Sequence, residues 1–159
     1  MPAEAVPLTP GIRLHALTLH DVEFRRTGAK VPAADTEIPT LFQLGTTRLQ
    51  AEALGVEFSL EVNLPDTFFA RVVYRAVFVR EGPPVSAEEE EAMWRAVAGR
   101  VAPMAIYPYI RETLSGLTAR AGLPAVVLPI LNIGGMFPPE SIRIAAPEAA
   151  PDRASDDAS

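Results

Sequence analysis

Cysteine is absent from the 159 residues. Its absence excludes a disulfide framework, a thiolate nucleophile and every cysteine-ligated metal site. Histidine is scarce, with only His15 and His20 in the chain. Five positions apart on an expected strand, they point to opposite faces and cannot share a metal ion. Positive charge is also in short supply: 14 Lys and Arg stand against 20 Asp and Glu, a net charge of −6. No surplus is left to neutralise a row of phosphates or an anionic bilayer, which excludes a nucleic-acid partner. There is no phosphate-binding glycine loop, because Gly134-Gly135 has neither the GxGxxG spacing nor a following Lys-Ser/Thr. Ser115-Gly116 lies within a helical pattern, where no nucleophile elbow forms. Glu88 to Glu91 are consecutive helix positions that fan outward, as at a solvated helix start, and do not converge on a cation. The chain is expected to be no enzyme and to need no cofactor.

A long spanning helix is missing too. The stretch from Arg120 to Glu140 is uncharged but is broken by Pro124, Pro129, Gly134-Gly135, Pro138 and Pro139, so no direct membrane insertion is expected. The opening MPAEAVPLTPG carries Glu4 and no apolar core of a secretory signal. With no cysteine to suggest an oxidising compartment, a cytoplasmic location is expected.

What the chain does have is core material. Hydrophobic residues make up 48% and charged residues 21%, enough for one packed domain. Four extended segments come first. In Ile12 to Phe24 the even positions Ile12, Leu14, Ala16, Val22 and Phe24 are apolar, and Leu17 and Leu19 break the alternation as a bulge would. A second, weaker segment runs from Ile38 to Ala53. Val56, Phe58, Leu60, Val62 and Leu64 alternate with polar residues in the third. After a Pro65-Asp66 turn, the even positions Phe68, Ala70, Val72, Tyr74, Ala76 and Phe78 of the fourth are all apolar, and its odd positions include Arg71 and Arg75. Short connections favour an antiparallel meander with one face wet.

After Pro83-Pro84 the period becomes helical. Ser86 is a good N-cap, and the glutamates that follow suit a helix start. Gly99 and Pro103 predict a break, after which Ile106, Ile110, Leu114, Leu117 and Ala121 mark a longer helix ending at Gly122. Pro108 should kink that helix or lie in its first turn. Residues 1–11 read as a flexible lead, 12–144 as the domain and 145–159 as a disordered acidic Ala/Pro tail. Ten of the eleven large aromatics, with Met93, Met104 and Met136, exceed what one sheet and one helix need to cover. The excess points to an adaptable apolar groove for oligomerisation or peptide binding.

The stretch from Ala105 to Asn132, AIYPYIRETLSGLTARAGLPAVVLPILN, resembles the SecB protein-export chaperone family. The resemblance is carried by Pro108-Tyr109-Ile110-Arg111-Glu112, then Gly122, Leu123, Pro124, Leu128 and Asn132. His20-Asp21-Val22-Glu23-Phe24 is similar to the end of that family's first strand. The resemblance implies an α+β fold, a four-stranded antiparallel sheet packed by a long helix. It also implies a homotetramer, a dimer of dimers, whose grooves hold unfolded preproteins for Sec-dependent export. Phe42, Phe68, Tyr74, Trp94 and Met136 are the expected groove residues. The wet sheet face of the family docks the translocase motor SecA, which here brings in Asp21, Glu23, Glu57, Glu61 and Arg71. Arg25 and Arg71 stand where the family carries glutamates, and prolines and glycines replace its second helix. The same resemblance extends to SecB-like chaperones dedicated to one client such as an antitoxin. An apolar-ligand binding domain is the remaining alternative.

Overall fold

The computed structural model describes residues 11–129 and 131–146. Four antiparallel strands, β1 (Ile12–Arg26), β2 (Thr40–Gln50), β3 (Ala53–Leu64) and β4 (Phe68–Arg80), form one sheet in the order β1-β4-β3-β2. The expected meander therefore holds for β2, β3 and β4, whereas β1 pairs with β4 and not with β2. To reach the far edge, the connection 27–39 crosses the β3–β4 turn. Thr27 N–H donates to the Thr67 carbonyl (3.1 Å) and Lys30 N–H to the Asp66 carbonyl (3.1 Å). Gly28 allows this crossing, because a Cβ there would overlap the Asp66 carbonyl.

Beyond the crossing, β1 twice shifts its register on β4, skipping His15 and His20. Each bulge flips the parity, so Leu14, Leu17, Leu19, Val22 and Phe24 all oppose inward-facing residues of β4. Ala16, read from the alternation as inward, instead lies opposite Val77 on the outer face.

The inner face of β3 and β4 forms the core with helices α1 (Ala87–Ala96) and α2 (Ala102–Arg120). Ser86 caps α1 in a reciprocal capping box with Glu89. Glu90 departs from the expected solvated run. It is half-buried, its carboxylate 2.8 Å from Arg48 and 3.8 Å from Arg80. The Arg48 guanidinium lies 5.7 Å from the ring centroid of the fully buried Trp94. These contacts seat α1 on the end of the sheet.

No break separates the helices. Val97–Val101 forms one wide π turn, with Ala102 N–H bonded to the Val97 carbonyl five residues back, and Pro103 lies in the first turn of α2. Pro108 is inside α2 on its exposed side, where the carbonyl it leaves unbonded can reach water. Gly122, at φ 76°, ends the helix. Its N–H meets the Ala119 carbonyl, and Leu123 N–H meets the Thr118 carbonyl, the paired closure that a left-handed glycine permits. No described helix is long and apolar enough to cross a membrane.

Candidate functional site: an apolar cleft beside the long helix

After Gly122, residues 123–129 turn back along α2 without joining the sheet. Its main chain is held instead by α2 side chains. Thr118 Oγ1 accepts from Val126 N–H (2.9 Å), Arg111 Nε donates to the Leu128 carbonyl (2.9 Å) and Tyr107 Oη to the Pro129 carbonyl (2.8 Å). Positions 107, 111 and 118 recur at helical spacing and so share one face. Val126 and Leu128 turn inward, whereas Val127 is 71% exposed.

Between this segment and the crossing connection lies a cleft of about 350 Å³. Ile38, Phe42, Tyr107, Val127, Leu128 and Leu131 supply its apolar lining, with Thr36, Glu37, Thr40 and Pro129 completing it. Phe42 stacks on Phe58 at 5.8 Å and meets Tyr107 edge-on at 5.9 Å, so two aromatic rings are fixed at its base. Cleft walls of this kind offer contact area with few directional polar groups, which suits apolar segments of varied sequence. Among the described residues no group of His, Asp and Glu could hold a metal ion.

Burial raises the Tyr107 hydroxyl above its usual range near 10, with Arg111 pulling partly back. A folded-state value above the unfolded one means that this group's contribution is complete below about pH 10 and is lost as pH rises through the folded value. The Tyr107→Phe variant is expected to be less stable by about 1 kcal/mol near neutrality, for the lost bond to Pro129. That deficit should shrink above pH 10. Melting curves of both proteins from pH 8 to 11 check this, and a constant gap would refute it.

The expected groove residues divide. Phe42 lines the cleft, and Met136 is exposed but outside its lining. Phe68 and Trp94 are fully buried and Tyr74 nearly so, its hydroxyl 2.8 Å from Thr113 Oγ1. In this arrangement those three belong to the core and present no surface to a partner. Tyr107, Val127 and Leu131 were not singled out as groove residues. Their signal lay in the motif itself, which places a tyrosine and a returning apolar segment on one helix.

The expected docking residues do share the outer sheet face. Asp21 pairs with Arg71 (3.1 Å), Glu57 with Arg75 (2.9 Å) and Glu23 with Arg25 (3.4 Å). Glu61, opposite Arg71 in register, has no ion-pair partner among the described residues. These pairs are exposed and each is worth well under about 1 kcal/mol. Their effect is on the field, since most of the face is neutralised. The same face holds a depression of about 510 Å³, open because Gly45 and Gly55 bring no side chains to it. Its rim is the Glu57–Arg75 pair, and it lacks the aromatic base of the cleft.

Residues 9–142 match the family described as preprotein translocase subunit SecB. The chain belongs to the SecB family. It is 28% identical over 147 residues to the protein-export protein SecB of Acidovorax sp. strain JS42, covering 89% of this chain and 94% of that one. A shorter stretch of 57 residues is 40% identical to the SecB-like chaperone SmegB of Mycolicibacterium smegmatis, over 36% of this chain and 39% of that one. Among solved structures, the Mycobacterium tuberculosis SecB-like chaperone Rv1957, in complex with a ChAD peptide from the HigA1 antitoxin, superimposes with a TM-score of 0.65. That match is 27% identical and covers 77% of this chain and 92% of the other. The fold expected from the family resemblance is thus the fold found, and the chain is a SecB-family chaperone.

Proposed function

We propose that this chaperone is a holdase that keeps preproteins unfolded for export by seating their apolar segments in the cleft between Phe42, Tyr107 and the returning segment. The observation that carries this reading is that cleft: an aromatic base with apolar walls, open to solvent, on a chain of the SecB family. Holding a client needs no catalysis, only the exchange of its contact with water for contact with the cleft. The test is suppression of aggregation. A chemically unfolded reporter diluted into the protein should remain soluble, and aggregation unchanged by the protein would remove the reading.

A homotetramer in the cytoplasm accompanies it. The support is uncovered apolar surface: α2 packs on β3 and β4 but leaves the inner face of β1, with Leu19 45% and Val22 36% exposed. Met104 and Tyr109 on α2 are exposed as well. A second copy laid against β1 and α2 covers both surfaces. Light scattering that reports only a monomer at micromolar concentration would exclude it.

A dedicated chaperone for one client, such as an antitoxin, is the second reading. It is favoured by the neutralised outer face and by the antitoxin peptide bound to the M. tuberculosis protein. Docking to SecA through the outer face is expected to be weak and salt-sensitive. Arg71→Glu should strengthen it and Asp21→Lys should weaken it further, as read by titration of SecA at low and moderate salt. No binding by all three proteins would favour the dedicated chaperone.

A further inference from the structure

The last described residues lie beside the end of β2. Arg48 N–H donates to the Ala145 carbonyl (2.9 Å), Ala145 N–H to the Thr46 carbonyl (3.2 Å) and Thr46 Oγ1 to the Arg143 carbonyl (2.9 Å). The two segments run parallel, with Thr47 beside Ala145. Ordered structure therefore extends one step into the stretch read from sequence as a tail, and residues 147–159 lie outside the described residues. The attachment is anchored by Ile142, which is buried, and by Ile144, which packs against the core.

The sequence ends this pairing at Arg48. The next donor in register would be the N–H of residue 147, directed at the Arg48 carbonyl. That residue is Pro147, which has no N–H. The chain must leave the edge there, and the side chains just before it show on which side the sheet faces it. Paired residues of neighbouring strands project to the same face. Ala145 therefore points with Thr47 to the outer face, while Ile144 takes the inner one.

At this exit lies the outer-face depression of about 510 Å³. Thr47 and Leu49 form its near lip, Gly45 and Gly55 leave its floor as bare main chain, and Glu57, Arg75 and Val77 bound its far side. Leu49 leans over Gly55, 3.4 Å from where a Cβ would stand, yet is 45% exposed. Glycine weakens a strand, and it often marks a place where another backbone comes close. The segment that starts at this lip is Pro147-Glu148-Ala149-Ala150-Pro151-Asp152-Arg153. When extended, it sets Pro147, Ala149 and Pro151 on one side, small apolar groups that fit a floor of bare main chain. Its reach is sufficient. Six residues span up to about 20 Å. Arg75 stands two strands across and two residues along from Thr47, about 12 Å away. Asp152 and Arg153 then come level with the exposed Glu57–Arg75 pair, to which they are complementary in charge.

We propose that residues 147–153 fold back over the outer sheet face and seat in this depression, with Asp152 and Arg153 against Arg75 and Glu57. The seated segment covers Glu57, one carboxylate of the expected docking face, so a partner that docks there must first displace it. The inference stands apart from the holdase reading, whose cleft lies on the helix side of the sheet.

The test exploits the absence of native cysteine. The full chain with Ala150→Cys carries one nitroxide spin label, and NMR reads which amides the label broadens. Gly45, Gly55 and Val77 should lose most of their intensity, while Val127 and Leu131 beside the cleft keep theirs. Gly45→Val fills the floor, where a Cβ has its nearest neighbour at 3.9 Å and therefore room to stand. In the labelled chain this change should restore the signals of Gly55 and Val77. A chain ending at Ala146 keeps every described residue, and it should shift the Gly45 and Gly55 amide signals but not that of Val127. This truncation decides the matter if the valine variant does not fold. Broadening that is absent, spread equally over both faces or unchanged by Gly45→Val would overturn the proposal, as would a truncation that leaves Gly45 and Gly55 unshifted. Broadening in cysteine-free copies mixed with labelled ones would give the depression to a neighbouring chain's tail, which also overturns it.

Discussion

Replacing Gly99 with alanine should lower stability by about 2–3 kcal/mol, roughly 5–10 °C in Tm for a chain of this size. Gly99 is buried in the π turn between α1 and α2, and the segment after residue 131 crosses directly over it. An added Cβ would overlap the Phe137 carbonyl and lie 2.9 Å from Ile142 Cδ1. The first neighbour is main chain and cannot swing aside. Relief must come from lifting the whole Phe137–Ile142 segment, which breaks the edge-on packing of Phe137 on Phe58 at 5.9 Å. It also withdraws the anchor of residues 143–145 from β2. The variant should therefore exchange the Arg48 amide faster as well as melt earlier. An unchanged Tm with intact Arg48 protection would show that the turn absorbs the methyl group.

Gly99 shows where the sequence could be read and where it could not. Together with Pro103 it marks an irregularity, and an irregularity is there. A helical pattern alone does not distinguish a break from one widened turn, since both only disturb the spacing. Reading was easiest where one face of a strand decides everything, as in β3 and β4, and where a terminus follows from local chemistry, as at Ser86 and Gly122. The placement of β1 beside β4 was not legible. It depends on a crossing that only Gly28 and the Asp66 turn make possible, two sites far apart in sequence. The first bulge reverses the parity of β1 and the second restores it, so a simple alternation put Ala16 inward, although Leu17 and Leu19 already marked a bulge. For the site, residue type alone was a poor guide. Trp94 and Phe42 are both large aromatics, but the first is closed in by the Arg48–Glu90–Arg80 cluster and the second borders the cleft. What separates them is which neighbours cover each ring, and that is set by long-range packing.

The cleft can be tested apart from the core because two of its residues carry little of the fold. Val127 and Leu131 line it while 71% and 36% exposed. The double variant Val127→Asp/Leu131→Asp should keep its Tm within a few degrees, since surface changes of this kind cost about 0.5 kcal/mol each. Binding should respond very differently. Two aliphatic contacts to a client's apolar segment, each partly buried, are worth together about 2 kcal/mol, or roughly 30-fold in affinity. The introduced carboxylates, facing an apolar partner, add their own desolvation cost to that loss. Phe68→Ala and Trp94→Ala are the opposing controls. Both side chains are fully buried, so either change should cost about 3–5 kcal/mol of stability and weaken holding only to the extent that the chain unfolds. The measurement is affinity for an unfolded reporter, taken alongside thermal melts of all four proteins. If the double variant folds normally and holds the reporter as well as wild type does, the cleft is not where clients sit. If instead the two core variants lose binding while still folded, the aromatic interior must open to reach the client, and the site lies deeper than Phe42.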